Sequence, residues 1–174
     1  SSGKYKAVAV ISGPEPQRTN FEQLVTSQLS SLEGQFAIVR GKPDAAEDIN
    51  RAGNLTIFPY LTRAALSLIL SQTKIVIARS GYTTLMDLAT TGHKAILCPT
   101  PGQYEQIYLA DRLANLGQCV YTRQENLNLS SALQEVEKVK PIGFTSNLEK
   151  EIFLERLQHL SGHQEKEQAF KVAI

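Results

Sequence analysis

The sequence predicts an α/β protein: a doubly wound, Rossmann-like parallel sheet with helices on both faces. Three observations carry that prediction. Short runs of β-branched and small apolar residues recur along the chain, each is ended by glycine, proline or a polar turn, and each is followed by apolar residues at helical spacing. Strands alternating with helices imply βαβ units with right-handed crossovers, hence an open sheet covered on both sides. No internal repeat, heptad array or low-complexity tract interrupts the alternation.

The first strand is Ala7-Val8-Ala9-Val10-Ile11, which runs directly into Ser12-Gly13-Pro14-Glu15-Pro16. Two prolines and a glycine forbid its continuation, and Pro16 suits the first turn of a helix, where its missing N–H costs little. That helix spans residues 17–32, with Phe21, Leu24, Val25 and Leu29 on one face and Gly34 past its end. Phe36-Ala37-Ile38-Val39 is a second strand, followed by a polar loop over 40–54 with room for a short helix at 45–51. Leu55-Thr56-Ile57-Phe58 is the third, broken by Pro59, and residues 62–71 form a helix with Ala65, Leu66, Leu68 and Ile69 on its apolar face. Lys74-Ile75-Val76-Ile77 has the composition of a strand buried on both faces, and Gly92 closes the helix after it. Ala95-Ile96-Leu97-Cys98 is the fifth strand, ended by Pro99-Thr100-Pro101-Gly102, with a helix over 104–116 and Gly117 behind it. Cys119-Val120-Tyr121 is the sixth, and residues 129–139 and 147–160 read as amphipathic helices ahead of a polar tail beyond Gly162.

At 174 residues the chain is long enough for one well-packed domain and short for two, so a single domain is expected. Hydrophobic content of 42% and charged content of 20% exclude a disordered chain. A net charge of +1 makes no electrostatic case for a nucleic-acid partner. No apolar run approaches the roughly 18 residues of a membrane span and no signal peptide opens the chain, so a cytoplasmic location is expected. Cys98 and Cys119 each sit in an apolar strand-like run, the setting of buried thiols rather than of a disulfide or metal pair. Ser1-Ser2-Gly3 has the look of a cloning remnant, which would make the start an engineered boundary.

The chemistry concentrates in Ala78-Arg79-Ser80-Gly81-Tyr82-Thr83-Thr84-Leu85-Met86-Asp87. Ser80 is a good N-cap, and Gly81 lets the backbone come close to a bound group. Thr83, Thr84 and Asp87 lie three and four residues apart, on one face of the first two turns. A phosphate could sit at the positive helix end while the carboxylate accepts hydrogen bonds from sugar hydroxyls; the alternative is an ordinary capped helix with a solvated Asp87. Two more loops lie at carboxyl ends of strands, where such sheets bind ligands. Residues 12–18 lack a G-x-G-x-x-G fingerprint. Ser12 and Gly13 still offer backbone N–H groups and Arg18 a counter-charge, against the alternative of a rigid Pro-rich turn with Arg18 solvated. Residues 99–106 bring Gln103, Glu105 and Gln106 to a helix start, either as sugar-binding groups or as ordinary first-turn residues.

Residues 75–111, with Arg79-Ser80-Gly81, the Thr83-Thr84 pair, an acid at 87, Gly92, Pro99 and Gln106, resemble the donor-binding, C-terminal domain of GT-B glycosyltransferases. Within that group the run is similar to the bacterial transferases that add N-acetylglucosamine to the lipid-linked peptidoglycan precursor. Asp87 and Gln106 keep the family's spacing between acid and glutamine. The resemblance is specific over about the middle quarter of the chain and architectural elsewhere. It implies that Asp87 holds ribose hydroxyls, that Thr83 and Thr84 lie beside the phosphates, and that Gln106 with Glu105 contacts the transferred sugar. It also implies that Pro59-Tyr60-Leu61 edges the nucleobase, uracil in this reading. Two departures stand out: the family usually has Glu at the position of Asp87, and its glycine-rich first loop is here Ser12-Gly13-Pro14-Glu15-Pro16-Gln17-Arg18.

The resemblance implies a UDP-sugar donor, such as UDP-N-acetylglucosamine, and transfer without a metal, in keeping with the lack of an Asp-x-Asp pair. No cofactor is expected. Sugar transfer needs stabilisation of the departing diphosphate and a base for the acceptor hydroxyl. The helix start at Gly81 and Arg18 could do the first. His93, His159 and His163 are all expected at the surface, so no catalytic base is assigned. GT-B enzymes carry the acceptor site and base on an N-terminal domain. The chain is therefore expected to be the C-terminal half of a transferase, joined to that domain or working with a separate acceptor-binding subunit, as in split enzymes of the dolichol-linked pathway. Peripheral membrane association would come only through that other half. UDP-sugar epimerases and hydrolases of the same fold, and a non-catalytic assembly domain, are the competing readings.

Overall fold

Strands that are apolar on every residue call for cover on both faces, and the fold supplies it. The computed structural model describes residues 3–41 and 48–143. The described residues to Ile142 belong to one compact unit. Its elements are β1 (Ala7–Val10), α1 (Gln17–Ser30), β2 (Phe36–Val39), β3 (Asn50–Ala52), β4 (Leu55–Phe58), α2 (Arg63–Leu70) and β5 (Ile75–Ala78). Then come α3 (Tyr82–Thr91), β6 (Lys94–Leu97), α4 (Tyr104–Asn115), β7 (Cys119–Tyr121) and α5 (Leu129–Glu135).

The sheet order is β3-β4-β2-β1-β5-β6-β7, parallel throughout except for β3, which runs antiparallel to β4. Alternate residues of β1 serve the two layers. Ala7 and Ala9 pack with Phe21, Val25 and Leu29 of α1 and Leu129 of α5, while Val8 packs with Ala37, Val39 and Phe58 beneath α2. The chain builds outward from β1 to β2 and β4, then returns to lay β5, β6 and β7 on the other side. Strand order therefore reverses between β1 and β5, whose carboxyl ends meet at the register pair Val10 and Ala78. Such a reversal opens a crevice where ligands of open α/β sheets bind.

Several sequence expectations change. Asn50 and Arg51 belong to a strand, not to a short helix; residues 45–47 of that expectation lie outside the described residues. β3 is polar and fully exposed, so no apolar pattern announces it. Gly53, at φ 59°, opens the two-residue turn into β4, and Asn54 anchors that turn by donating to the Leu29 and Leu32 carbonyls. On α2, Leu68 points outward at 64% exposure, and Leu70 takes the inward place beside Leu66 and Ile69. The helix expected over 129–139 is α-helical only to Glu135 and finishes as a 3₁₀ turn, Val136–Lys138. His93 is buried rather than superficial. Its ring bridges the ends of two helices, with Nδ1 2.7 Å from the Thr91 hydroxyl and Nε2 2.9 Å from the Leu70 carbonyl. Gly92 ends α3 in the left-handed conformation, as expected. The helix at 147–160, His159, His163 and the remnant Ser1-Ser2 lie outside the described residues.

Both cysteines are free and buried, as expected. Burial pushes the Cys98 thiol up to about 11 and the Cys119 thiol up to about 12. Because the fold favours the protonated thiols, their contribution is fully present below the unfolded value of 9.0 and is lost as pH rises through 11 to 12. Mass spectrometry after alkylation at pH 8 should find no adduct on the native protein and two after denaturation. Rapid native labelling would contradict this burial.

Among the described residues, no helix is long and apolar enough to cross a membrane.

Candidate functional site

Helix starts at the carboxyl edge of the sheet differ in whether the chain caps itself. Thr62 accepts from the Ala65 N–H at the start of α2, and Asn128 accepts from Ser131 at the start of α5. At α1 the Glu15 carboxylate takes the Thr19 N–H. The N-caps of α3 and α4, Gly81 and Gln103, make no side-chain capping bond. These two helices follow adjacent strands, β5 and β6, on one side of the reversal. Their first-turn N–H groups and dipoles are thus open to an anion.

The sequence assigns the cap of α3 to Ser80, and the structure corrects this by one residue. Ser80 is completely buried, and its hydroxyl donates to the Gln106 carbonyl at 2.7 Å, joining the loop after β5 to the first turn of α4. The Gln106 side chain is fixed as well. Its Oε1 accepts from the Thr100 N–H at 2.9 Å, and its Nε2 donates to Gln103 Oε1 at 2.7 Å. A Cβ on Gly81 would stand 4.0 Å from that Nε2. Ser80, Gly81, Gln103 and Gln106 therefore form one connected cluster, with Glu105 half-buried beside Gln106.

Gly81 and Gly13 are glycines for different reasons. Gly81 has φ −65° and ψ 147°, which any residue adopts, and ample room for a Cβ. The fold does not require glycine there. Gly13 has φ 113°, where an L side chain is strained, so the turn itself selects it. Ser12 and Gly13 are exposed on the first loop, across the strand-order reversal from Gly81.

Arg18 is not solvated. It is 7% exposed, and its guanidinium donates to Glu15 at 2.9 Å, to Glu22 at 3.1 Å and to the Arg40 carbonyl. Two carboxylates match its charge. Hydrogen bonds from the Thr19 side chain and from Arg18 hold the exposed Glu15 carboxyl below its usual value.

Thr83, Thr84 and Asp87 lie on α3, Thr83 exposed and Thr84 half-buried. Asp87 is exposed and accepts from Arg63 at 3.3 Å. Together these two residues border a cleft of about 530 Å³ between α2 and α3 that reaches Thr91 and His93. Gly81 and Gln106 do not line that cleft, so the structure places Asp87 one to two helical turns from the Gly81–Gln106 cluster. Tyr60 is half-exposed and Leu61 half-buried at the start of the α2 loop, Leu61 packing on the core beneath α2.

Sequence alone attaches no functional role to Arg79, Arg63 or Thr100. Arg79 is 1% exposed. Its guanidinium donates to the carbonyls of Cys98 (3.0 Å), Pro99 (3.2 Å) and Gln17 (3.1 Å) and to Gln124 Oε1 (2.7 Å), and it lies 4.0 Å over the Phe21 ring. Burial lowers its pKa from the ordinary 12.5, though a guanidinium stays charged in proteins. The missed signal is an arginine at the end of a fully apolar strand.

Strand order, its reversal between β1 and β5 and the uncapped helix starts beside it define a Rossmann-like domain with a ligand-ready edge. The chain belongs to the glycosyltransferase family 28 C-terminal domain family, whose model matches residues 8–168. Among solved structures it is similar to MurG of Acinetobacter baumannii at 21% identity and TM-score 0.55, over 88% of this chain and 47% of that one. It is also similar to the solution structure of ALG13 at 16% identity and TM-score 0.57, over 86% of this chain and 94% of that one. The glycosyltransferase SnogD of Streptomyces nogalater matches at 17% identity and TM-score 0.56, over 81% of this chain and 40% of that one. At such identities the likeness is one of fold. Relative to MurG and SnogD, the chain spans less than half of the compared protein. No curated protein matches the sequence significantly.

Proposed function

We propose that this domain binds the nucleotide-sugar donor of a glycosyltransferase, a UDP-sugar such as UDP-N-acetylglucosamine, and acts with an N-terminal acceptor-binding domain or a separate subunit carrying the base. The observation that carries the reading is the pair of uncapped helix starts on adjacent strands, joined through Ser80 and Gln106. The diphosphate lies on the N–H groups at the start of α3, with Ser12 and Gly13 across the crevice and Thr83 and Thr84 alongside. Those fixed donors stabilise the charge that develops on the leaving diphosphate. Gln106 and Glu105 meet the sugar, Asp87 the ribose, and Tyr60 and Leu61 the base. Arg63 yields its exposed contact with Asp87 to the ribose hydroxyls, and Arg18 contributes only where a ligand draws it from Glu15.

Calorimetric titration with UDP and with UDP-N-acetylglucosamine tests the reading. Saturable binding of either is expected, and no heat from either at millimolar concentration would overturn it. Gly81→Ala adds a sharper check. The fold has room for the methyl group, so thermal stability should hold within about 1 kcal/mol, while affinity for UDP drops because the backbone is held away from the phosphates. Unchanged affinity in a folded variant would remove Gly81 from the site.

A further inference from the structure

Buried charges in folded proteins are paired, because taking an ion out of water without a counter-ion costs several kcal/mol. Four other arginines of this chain face acids even where exposed: Arg63 meets Asp87, Arg123 meets Glu125, and the more buried Arg18 and Arg40 share Glu22. Arg79, more buried than any of these, donates among the described residues only to neutral groups: three backbone carbonyls, the Gln124 amide and, at 3.8 Å, the Cys98 sulfur. Carbonyl dipoles satisfy its two terminal nitrogens but leave a unit of positive charge uncancelled. Among the described residues its buried Nε–H meets no partner, and neither does the hydroxyl of Thr100, next to the Pro99 carbonyl that Arg79 holds.

The place of this charge is specific. Arg79 directly precedes Ser80 and Gly81, and its acceptors come from the first turn of α1, the loop after β6 and the 3₁₀ turn Gln124–Asn126. It thus ties together the loops that surround the crevice and sits behind the start of α3. We infer that Arg79 is a positioning residue for the donor diphosphate, fixing these loops and supplying through low-dielectric protein a positive charge that the bound anion balances. The inference rests on the nucleotide-sugar reading above. Gln124 is what keeps the charge free. A glutamate of nearly the same shape would still accept from Arg79 and would cancel it.

The test compares UDP, measured by calorimetry, with uridine, measured by NMR titration, on the whole chain. Gln124→Glu is expected to fold with undiminished thermal stability and to weaken UDP binding about tenfold, while uridine affinity stays within about twofold. Gln124→Met, which adds no charge, should affect UDP less than Gln124→Glu does. In a second pair, Arg79→Lys should keep the ratio of UDP to uridine affinity within about threefold, and Arg79→Gln should lower it about tenfold. A purely structural role would move both ligands together or neither, and either result in the folded variants would overturn the inference. If wild-type protein binds neither UDP nor UDP-N-acetylglucosamine, the donor reading falls and takes this inference with it. Wild-type binding with Gln124→Glu indifferent would overturn the role of Arg79 alone.

Discussion

Phe21→Ala is expected to destabilise the fold by about 4 kcal/mol, the largest single-residue effect predicted for this domain. Phe21 is completely buried in the layer between α1 and the sheet, where truncation leaves a cavity that rigid strands cannot close. Its ring also carries the Arg79 guanidinium at 4.0 Å, a contact worth up to about 2 kcal/mol when desolvated. Total stability for such a domain is on the order of 5–15 kcal/mol, so the variant should unfold at markedly lower urea concentration, with the slope of the transition unchanged. Phe21→Leu separates the two contributions by restoring most of the volume without a π face. Its cost should lie between wild type and alanine. Alanine at no more than about 1 kcal/mol would show that the site collapses freely and that Arg79 does not depend on the ring.

Asp87→Ala is expected to weaken UDP binding about ten- to a hundredfold while leaving the fold intact. The affinity estimate follows from losing charge-assisted hydrogen bonds, each worth about 1.5–3 kcal/mol. Stability is spared because the Arg63–Asp87 pair is highly exposed, at 92% and 56%, and such pairs contribute about 0–1 kcal/mol. Asp87→Glu restores the longer acid usual in the family that the sequence resembles, and should bind UDP at least as tightly as wild type. Since Asp87 borders the α2–α3 cleft and not the Gly81–Gln106 cluster, this variant bears directly on how far the nucleotide extends along α3. Unchanged affinity in Asp87→Ala would take this residue out of the donor site and confine the ligand to the α3 and α4 starts.

Local chemistry by itself determined most of the elements. The central strands are legible because cover on both faces demands an unbroken apolar run, as in Ile75-Val76-Ile77-Ala78, and element ends because Gly92, closing α3, and Pro99, just past β6, act on their own backbone. The decad at residues 78–87 was readable as a strand end leading into a helix start for the same reason. β3 escaped because an exposed polar edge strand has no pattern of its own and exists only through its pairing with β4. What tertiary structure alone decided is strand order and the fate of each charge. The reversal between β1 and β5 depends on partners far apart in the chain, and Arg79 finds its acceptors at Gln17, Cys98, Pro99 and Gln124. Arg18, an apparent phosphate ligand in sequence, is matched by two carboxylates, and His93 is buried against a carbonyl from another helix. Periodicity reports which face of an element is apolar; which distant atom satisfies a buried donor is fixed only when the layers close.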